Sequence, residues 1–143
     1  MELDDLYQDI ILDHFKNPRH KRQLADPEVL VDEENPTCGD HIRLTASVKD
    51  GKITDIEYDG QGCAISMASA SMMADKLVGM PVAQARTLIR DFVGLLRGEK
   101  EMSADELEDL AALEGVKQFP LRVKCATMSW HALAKALEKI SPA

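Results

Sequence analysis

The sequence predicts an α+β fold in which helices pack on one face of a small, three-stranded, mainly antiparallel sheet. An amphipathic helical pattern opens the chain, strand-like segments follow, and helical patterns fill the second half. Strands that precede a run of helices are typical of this class. With 143 residues, 45% of them hydrophobic, the chain can bury one core, so we expect a single domain over residues 1–143.

Charge and composition argue against several classes of function. Lys and Arg number 17 against 25 Asp and Glu, which gives a net charge of −8. Binding to nucleic acid or to an anionic membrane needs a basic surface, so neither partner is expected. No apolar run reaches the roughly 18 residues of a spanning helix. Because the N-terminus is acidic and unlike a signal peptide, we expect a cytoplasmic protein.

The first predicted element is a helix from Leu3 to Phe15. Its apolar face would carry residues at spacings of three and four, namely Leu3, Leu6, Tyr7, Ile10, Ile11, His14 and Phe15. The helix should end at Asn17, because a residue that precedes proline disfavours the α conformation. On this face His14 is expected to be a packed side chain rather than a metal ligand.

Strands are expected next, at Pro27–Asp32, at residues 42–48 and at Lys52–Asp59. The second alternates apolar and polar residues, which predicts one buried and one wet face. Asp50-Gly51 predicts a hairpin turn between the last two strands. The spacing from Ile53 to Ile56 breaks the alternation and indicates a β-bulge.

The remaining expected helices are Ala64–Val78, Pro81–Arg97, a short acidic helix from Ser103 to about Leu113, and a last helix that begins at Cys125. Ser103 followed by Glu106 is a capping-box pattern. Phe119-Pro120-Leu121 is expected to be extended. The methionines of these helices are expected to fill the core rather than bind a soft metal.

The three cysteines, Cys38, Cys63 and Cys125, each lie at a junction between predicted elements. Their odd number argues against a disulfide framework. Because loops and helix N-termini gather at one end of such a sheet, the three thiols could converge there. Asp40, two residues after Cys38, would complete a tetrahedral set for zinc. Buried apolar cysteines explain the residues equally well.

A zinc site of this kind would need positive charge nearby. Zinc with three thiolates and one carboxylate carries a formal charge of −2, which neighbouring cations would offset. Arg122 and Lys124 are expected to do so beside Cys125, and a helix N-terminus would lower its pKa and make it a candidate nucleophile. His41 is expected to support the loop from outside the ligand set.

Three segments resemble the ligand segments of IscU-type iron–sulfur cluster assembly proteins, the family of the NifU N-terminal domain. They are Thr37-Cys38-Gly39-Asp40, Gly60-Gln61-Gly62-Cys63-Ala64-Ile65-Ser66 and Arg122-Val123-Lys124-Cys125-Ala126. Tyr7, Ile11, Asp13, His14 and Asn17-Pro18-Arg19 also match the family's opening pattern.

Within that family the chain is most similar to the SufU branch. Lys124 stands where classical scaffolds carry a histidine, and residues 119–124 differ from their chaperone-binding segment. Residues 98–118 resemble the insertion of SufU proteins. These differences argue against handover to a dedicated chaperone and weaken the case for a classical cluster scaffold.

The resemblance implies that Cys38, Asp40, Cys63 and Cys125 bind zinc. It also implies a partner, a cysteine desulfurase of the SufS type that depends on pyridoxal phosphate and hands over persulfide sulfur. A histidine of that enzyme would displace Cys38 from zinc and so free its thiolate to accept the sulfur. The chain would then be a zinc-dependent sulfurtransferase and desulfurase activator rather than a stand-alone enzyme, with downstream assembly or recipient proteins.

Alternatives remain at this point. Cys125 is a second candidate for the first persulfide. The same four residues could hold iron as a [2Fe–2S] cluster, which would make the chain a scaffold, and the hard carboxylate would make that cluster labile. A zinc-stabilised interaction module without sulfur chemistry is the third hypothesis.

Overall fold

The computed structural model of the protein describes residues 3–22, 24, 29–36 and 38–140. The elements follow in the order α1 (Leu3–Lys16), β1 (Val31–Asn35), β2 (Asp40–Lys49), β3 (Lys52–Gln61), α2 (Ala64–Leu77), α3 (Val82–Leu96), α4 (Ala104–Leu107), a 3-10 helix (Glu108–Gln118) and α5 (Pro120–Ile140). Within the described ranges, no helix combines the length and the apolar character needed to cross a membrane.

The strands form one antiparallel sheet in the order β1-β2-β3, and the helices cover one of its faces. In β2, Ile42, Leu44 and Ala46 are buried, while Arg43 and Ser47 on the opposite face are exposed. Helix α5 packs on β1 and β2, and α2 packs on β3. The predicted fold class is therefore confirmed.

The hairpin turn and the bulge are also confirmed. Asp50 and Gly51 have φ values of 53° and 77°, the positive values that a tight hairpin turn requires. The pairing shifts after Ser47, which pairs with Asp55 while the next residue pairs with Ile53. The extra residue on β3 lets both isoleucines face the core.

The first strand differs from its prediction at Pro27–Asp32. It spans Val31–Asn35, because its pairing with β2 continues to the Asn35–Asp40 pair at the hairpin end. The sequence prediction missed this extension because it relied on apolar residues, and Glu33-Glu34-Asn35 is polar. Positions 27–28 of the predicted strand lie outside the described residues.

The second half also departs from prediction at two places. The acidic helix begins after its N-cap, Ser103, whose Oγ accepts the N–H of Glu106 at 3.2 Å, but it becomes a 3-10 helix after Leu107. The last helix begins at Pro120 instead of Cys125. Proline fits the first helical turn because its missing N–H would have no helical partner there. The division of the chain into one domain with an insertion at 98–118 stays a prediction.

The core lies between the sheet and the helices and contains the predicted methionines. Met67, Met72 and Met73 are buried, and Met80 packs against the core from a partly exposed position. At its centre Trp130 and Phe92 stack with ring centroids 4.4 Å apart. The indole N–H of Trp130 donates to Ser69 Oγ at 3.0 Å, and the Ser69 hydroxyl donates to the carbonyl of Ala126 at 2.6 Å.

The histidines that the structure describes are buried or half-buried. His14 is buried on α1 as expected, and its Nδ1 lies 2.8 Å from Ser71 Oγ. His20 and His131 are half-buried. Phe15, expected on the apolar face of α1, is exposed instead.

Candidate metal centre

The β1–β2 hairpin places Cys38 and Asp40 at one end of the sheet. The N–H of Cys38 donates to the carbonyl of Asn35 at 3.1 Å, and Gly39 has a φ of 71°, so the loop curls tightly. Cys38 is exposed in this loop, whereas Asp40 is buried. The loop therefore offers one accessible thiol beside one inaccessible carboxylate.

Asp40 is held by the start of α2. Its Oδ1 accepts the backbone N–H of Cys63 at 2.9 Å, and its Oδ2 accepts the hydroxyl of Ser66 at 2.6 Å. A Cβ on Gly62 would stand only 2.7 Å from Oδ1, so glycine lets the carboxylate approach the backbone. These two hydrogen bonds fix the orientation of the Asp40 carboxylate.

Cys63 is the N-cap of α2, in agreement with its predicted place between a strand and a helix. Its Sγ accepts the N–H of Ser66 at 3.5 Å and lies 4.0 Å from Asp40 Oδ2. A second contact at this position is between Cys63 Sγ and Ser66 Oγ, which lie 3.4 Å apart. Cys63 thus joins the carboxylate to the helix start.

Cys125 lies in the second turn of α5 and not at its N-terminus, so the predicted effect of a helix N-terminus does not reach it. It is fully buried, and its Sγ lies 3.2 Å from Cys38 Sγ and 3.6 Å from the carbonyl oxygen of Leu121. Burial raises the pKa of the Cys125 thiol, and the adjacent Cys38 and Asp40 raise it further. Burial of Cys125 therefore opposes its ionisation.

The structure brings together all four predicted ligands. One donor atom each from Cys38, Asp40 and Cys125 lie within 4.8 Å of one another, and Cys63 joins them through its contact with Asp40. Soft thiolates with one carboxylate make a donor set that suits tetrahedral zinc, and the same set could bind iron. The site can therefore hold a metal ion, while the role of each residue as a ligand stays a prediction.

The residues expected to support the ligands from outside lie farther away. Arg122 and Lys124 are exposed, and neither side chain forms a hydrogen bond or ion pair with any residue that the structure describes. His41 points to the opposite face of β2 from Asp40, where its Nε2 lies 3.3 Å from Asp32 Oδ1. The structure thus does not bring these three side chains into contact with the ligand atoms.

Two residues contact the site that the sequence did not single out. Ser66 binds Asp40, as described above, and the side-chain N–H of Asn35 points at Cys125 Sγ over 3.6 Å. Ser66 could have been found from the sequence, because it lies three residues after Cys63, the N-cap of α2. Asn35 gave no such signal, because 90 positions separate it from Cys125.

The fold and the site together define a small α+β protein in which cysteines and a carboxylate that could hold a metal ion meet at the end of the sheet. The profile of the NifU-like N terminal domain matches residues 6–139. The chain belongs to this family, which confirms the resemblance inferred from its motifs.

Relatives in the family carry two kinds of name. The chain is 45% identical to the "Zinc-dependent sulfurtransferase SufU" of Bacillus subtilis over 96% of its own length and 92% of the relative. It is 41% identical to the "Iron-sulfur cluster assembly scaffold protein IscU" of Streptococcus pyogenes, over 96% and 86% of the two chains. The first name agrees with the predicted zinc-dependent sulfurtransferase, and the second agrees with the predicted role in iron–sulfur cluster assembly.

A solved structure supports the fold. The N-terminal part of a nitrogen-fixing NifU-like protein from Brucella abortus superposes with a TM-score of 0.86 at 24% identity. The match covers 98% of this chain and 97% of that one. At this identity the likeness bears on the fold alone.

Proposed function

We propose that the protein serves iron–sulfur cluster assembly by accepting persulfide sulfur from a cysteine desulfurase at a zinc centre. Cys38, Asp40, Cys63 and Cys125 would hold the ion. The observation that carries the proposal is the position of Cys38, an exposed thiol 3.2 Å from the buried thiol of Cys125. A sulfur acceptor needs one nucleophile that a partner can reach, next to groups that hold it in place.

Zinc bound at this site would supply the charge that keeps its cysteines as thiolates at neutral pH. The protein supplies the orientation. Asp40 is fixed by Cys63 and Ser66, and Cys125 is fixed within α5, so Cys38 is the thiol on the most open segment. The loop that carries it can present the sulfur to a partner without disturbing the helices.

The transfer itself is a thiol–persulfide exchange. The thiolate of Cys38 attacks the outer sulfur of the donor persulfide, a new S–S bond forms on Cys38, and the donor's S–S bond breaks. The electron pair of the broken bond leaves with the donor cysteine as a thiolate. No external oxidant or reductant is consumed, and the persulfide proton stays with the transferred sulfur.

The donor would be a cysteine desulfurase of the SufS type that depends on pyridoxal phosphate, acting in the cytoplasm. The name of the Bacillus subtilis relative supports a zinc-dependent sulfurtransferase. Access to Cys38 at the loop surface supports transfer from another protein. Downstream assembly proteins would receive the sulfur.

A second candidate function is a scaffold that assembles and transfers a [2Fe–2S] cluster. The name of the Streptococcus pyogenes relative supports this function, and so do the hydrogen bonds of Asp40. Both oxygens of this carboxylate already accept hydrogen bonds, from the Cys63 N–H and the Ser66 hydroxyl. A carboxylate whose two oxygens already accept hydrogen bonds would bind iron weakly. Weak binding would suit a cluster that has to be transferred to another protein.

The experiment that tests the first function follows isotopically labelled sulfur from a desulfurase to the protein, with the metal content of the protein measured in parallel. We expect stoichiometric zinc, no visible chromophore and label on the native protein, and Cys38→Ala should carry no label. An absorbing cluster that forms on reconstitution and transfers to an apo-ferredoxin would contradict this expectation and support the scaffold.

Asp40→Ala is the matched variant, because it keeps all three thiols. As a sulfur acceptor it should still take up label, whereas a scaffold with this change should retain a more stable chromophore. Label that persists in Cys38→Ala at the native level would overturn the assignment of Cys38.

A further inference from the structure

Asn35 makes an unusual contact with one thiol of the centre. Its side-chain N–H points at Cys125 Sγ over 3.6 Å, and the residue is only 6% exposed. This is the one side-chain hydrogen bond of Asn35 within the part of the chain that the structure describes. The last residue of β1 is therefore tied to α5 through a sulfur atom.

The chemistry of an amide sets the direction of this bond. An asparagine NH₂ group can only donate, so the sulfur of Cys125 is the acceptor whether it is a thiol or a thiolate. The bond strengthens when the acceptor is ionised. The bond therefore ties the sulfur of Cys125 to the end of β1 in either protonation state.

Cys38 has different surroundings. Its Sγ is exposed, and its side-chain partner among the described residues is Cys125 itself. Two thiols 3.2 Å apart thus differ in two respects: one is buried and accepts an N–H, and the other is open and does not.

We propose that Asn35 is a positioning residue that keeps Cys125 on the metal and so directs incoming sulfur to Cys38. This inference rests on the proposed function. If Cys125 attacked a persulfide, its sulfur would lose electron density to the new S–S bond, and the hydrogen bond from the Asn35 N–H would be weakened. Cys38 can form the same S–S bond without weakening a contact of this kind.

The test measures which thiol reacts in the zinc-loaded protein. Iodoacetamide alkylates thiolates, and mass spectrometry of the digested protein gives the ratio of modified Cys125 to modified Cys38. Asn35→Leu keeps the number and branching of the side-chain heavy atoms and removes the donor. In this variant we expect the ratio to rise about tenfold, the lower end of the effect of losing an outer hydrogen-bond partner. In the same variant, a larger fraction of the persulfide received from a desulfurase should be found on Cys125.

Glu34→Ala is the matched control, because Glu34 precedes Asn35 on β1 but is exposed. It should leave the ratio unchanged. A ratio within twofold of the native value in an Asn35→Leu protein that still binds zinc would overturn the proposal.

A measurement on the unaltered protein covers the case in which Asn35→Leu does not fold or bind zinc. When NMR-active cadmium replaces zinc, a hydrogen bond to a ligand sulfur transmits scalar coupling between the metal and the donated proton. We expect such coupling at a side-chain amide proton of Asn35, and its absence would overturn the proposal. If the native protein binds neither zinc nor persulfide sulfur, the proposed function fails, whereas an unchanged alkylation ratio in a working acceptor refutes the role of Asn35 alone.

Discussion

The two ends of β2 are built in different ways. At the Lys49 end the chain reverses through a tight turn, and backbone hydrogen bonds attach it to the α2–α3 connection, as from the N–H of Val82 to the carbonyl of Gly51 at 2.9 Å. At the Asp40 end side chains from distant segments make the contacts. The first end is local and needs few particular side chains, while the second depends on thiols, a carboxylate and close backbone approach.

The glycines show the same difference. Gly51 in the turn has open space where a side chain would be, although its φ is 77°. Gly60 pairs with Ile42 at the other end, and a Cβ there would lie 2.2 Å from the carbonyl oxygen of His41. The metal end of the sheet is therefore packed closely enough that its shape depends on the absence of side chains.

The largest effect that we expect is on stability, from Gly60→Ala. Steric overlap with the backbone adds to an unfavourable φ of 151°, so the free energy of unfolding should fall by about 3 kcal/mol. Gly51→Ala, where only the backbone conformation opposes the change, should cost about 1 kcal/mol. Urea denaturation of both variants measures the two values, and equal losses would contradict the contrast between the ends.

The next effect separates capping from metal binding at Cys63. Serine is a favoured N-cap and can accept the N–H of Ser66 as the cysteine does, so Cys63→Ser should leave the stability of the metal-free protein unchanged within about 0.5 kcal/mol. The loss of a thiolate ligand should weaken zinc binding by at least about 100-fold. Competition with a chromophoric chelator measures the affinity, and native affinity in the variant would exclude Cys63 from the ligand set.

The smallest effect concerns a site away from both ends. The pKa of His14 is lowered, chiefly by burial and then by Arg19, although the carboxylates of Asp109, Asp13 and Asp75 oppose this shift. The unfolded chain therefore takes up the proton more readily. The stability that the neutral side chain contributes is fully present above about pH 6.5 and is lost as the pH falls through the lower folded value.

Denaturation of the metal-free protein between pH 7.5 and pH 5 measures this dependence. His14→Gln should flatten it, and only in part, because burial also lowers the pKa of His131. A slope equal to that of the native protein would show that His14 is not a source of the acid sensitivity.

The sequence predicted the parts of the molecule that depend on local pattern. Alternation predicted β2, and Asp50-Gly51 predicted its turn, because each depends on neighbouring residues. The predicted start of α5 at Cys125 was wrong, because the helix begins at Pro120. In a sequence a proline usually indicates a helix break, and only the structure shows that it lies in the first turn here. The short acidic helix was also extended too far, because nothing local marks its change to a 3-10 helix.

The site was predictable as a set of residues but not as an arrangement. Three junction cysteines and one nearby carboxylate, together with the family resemblance, pointed to the right groups. The contacts of Asn35 and Ser66 came from tertiary proximity, which no spacing in the chain encodes. For the same reason Arg122 and Lys124, adjacent in sequence to Cys125, were expected near the ligands and lie exposed instead.

Trp130 gives the molecule a built-in optical reporter. It is the single tryptophan of the chain, and its indole reaches the Ala126 carbonyl, one residue beyond Cys125, through the hydroxyl of Ser69. A displacement of α5 when an ion is captured would alter the polarity around this ring. The wavelength and intensity of its emission can thus follow loading in real time, without an attached dye.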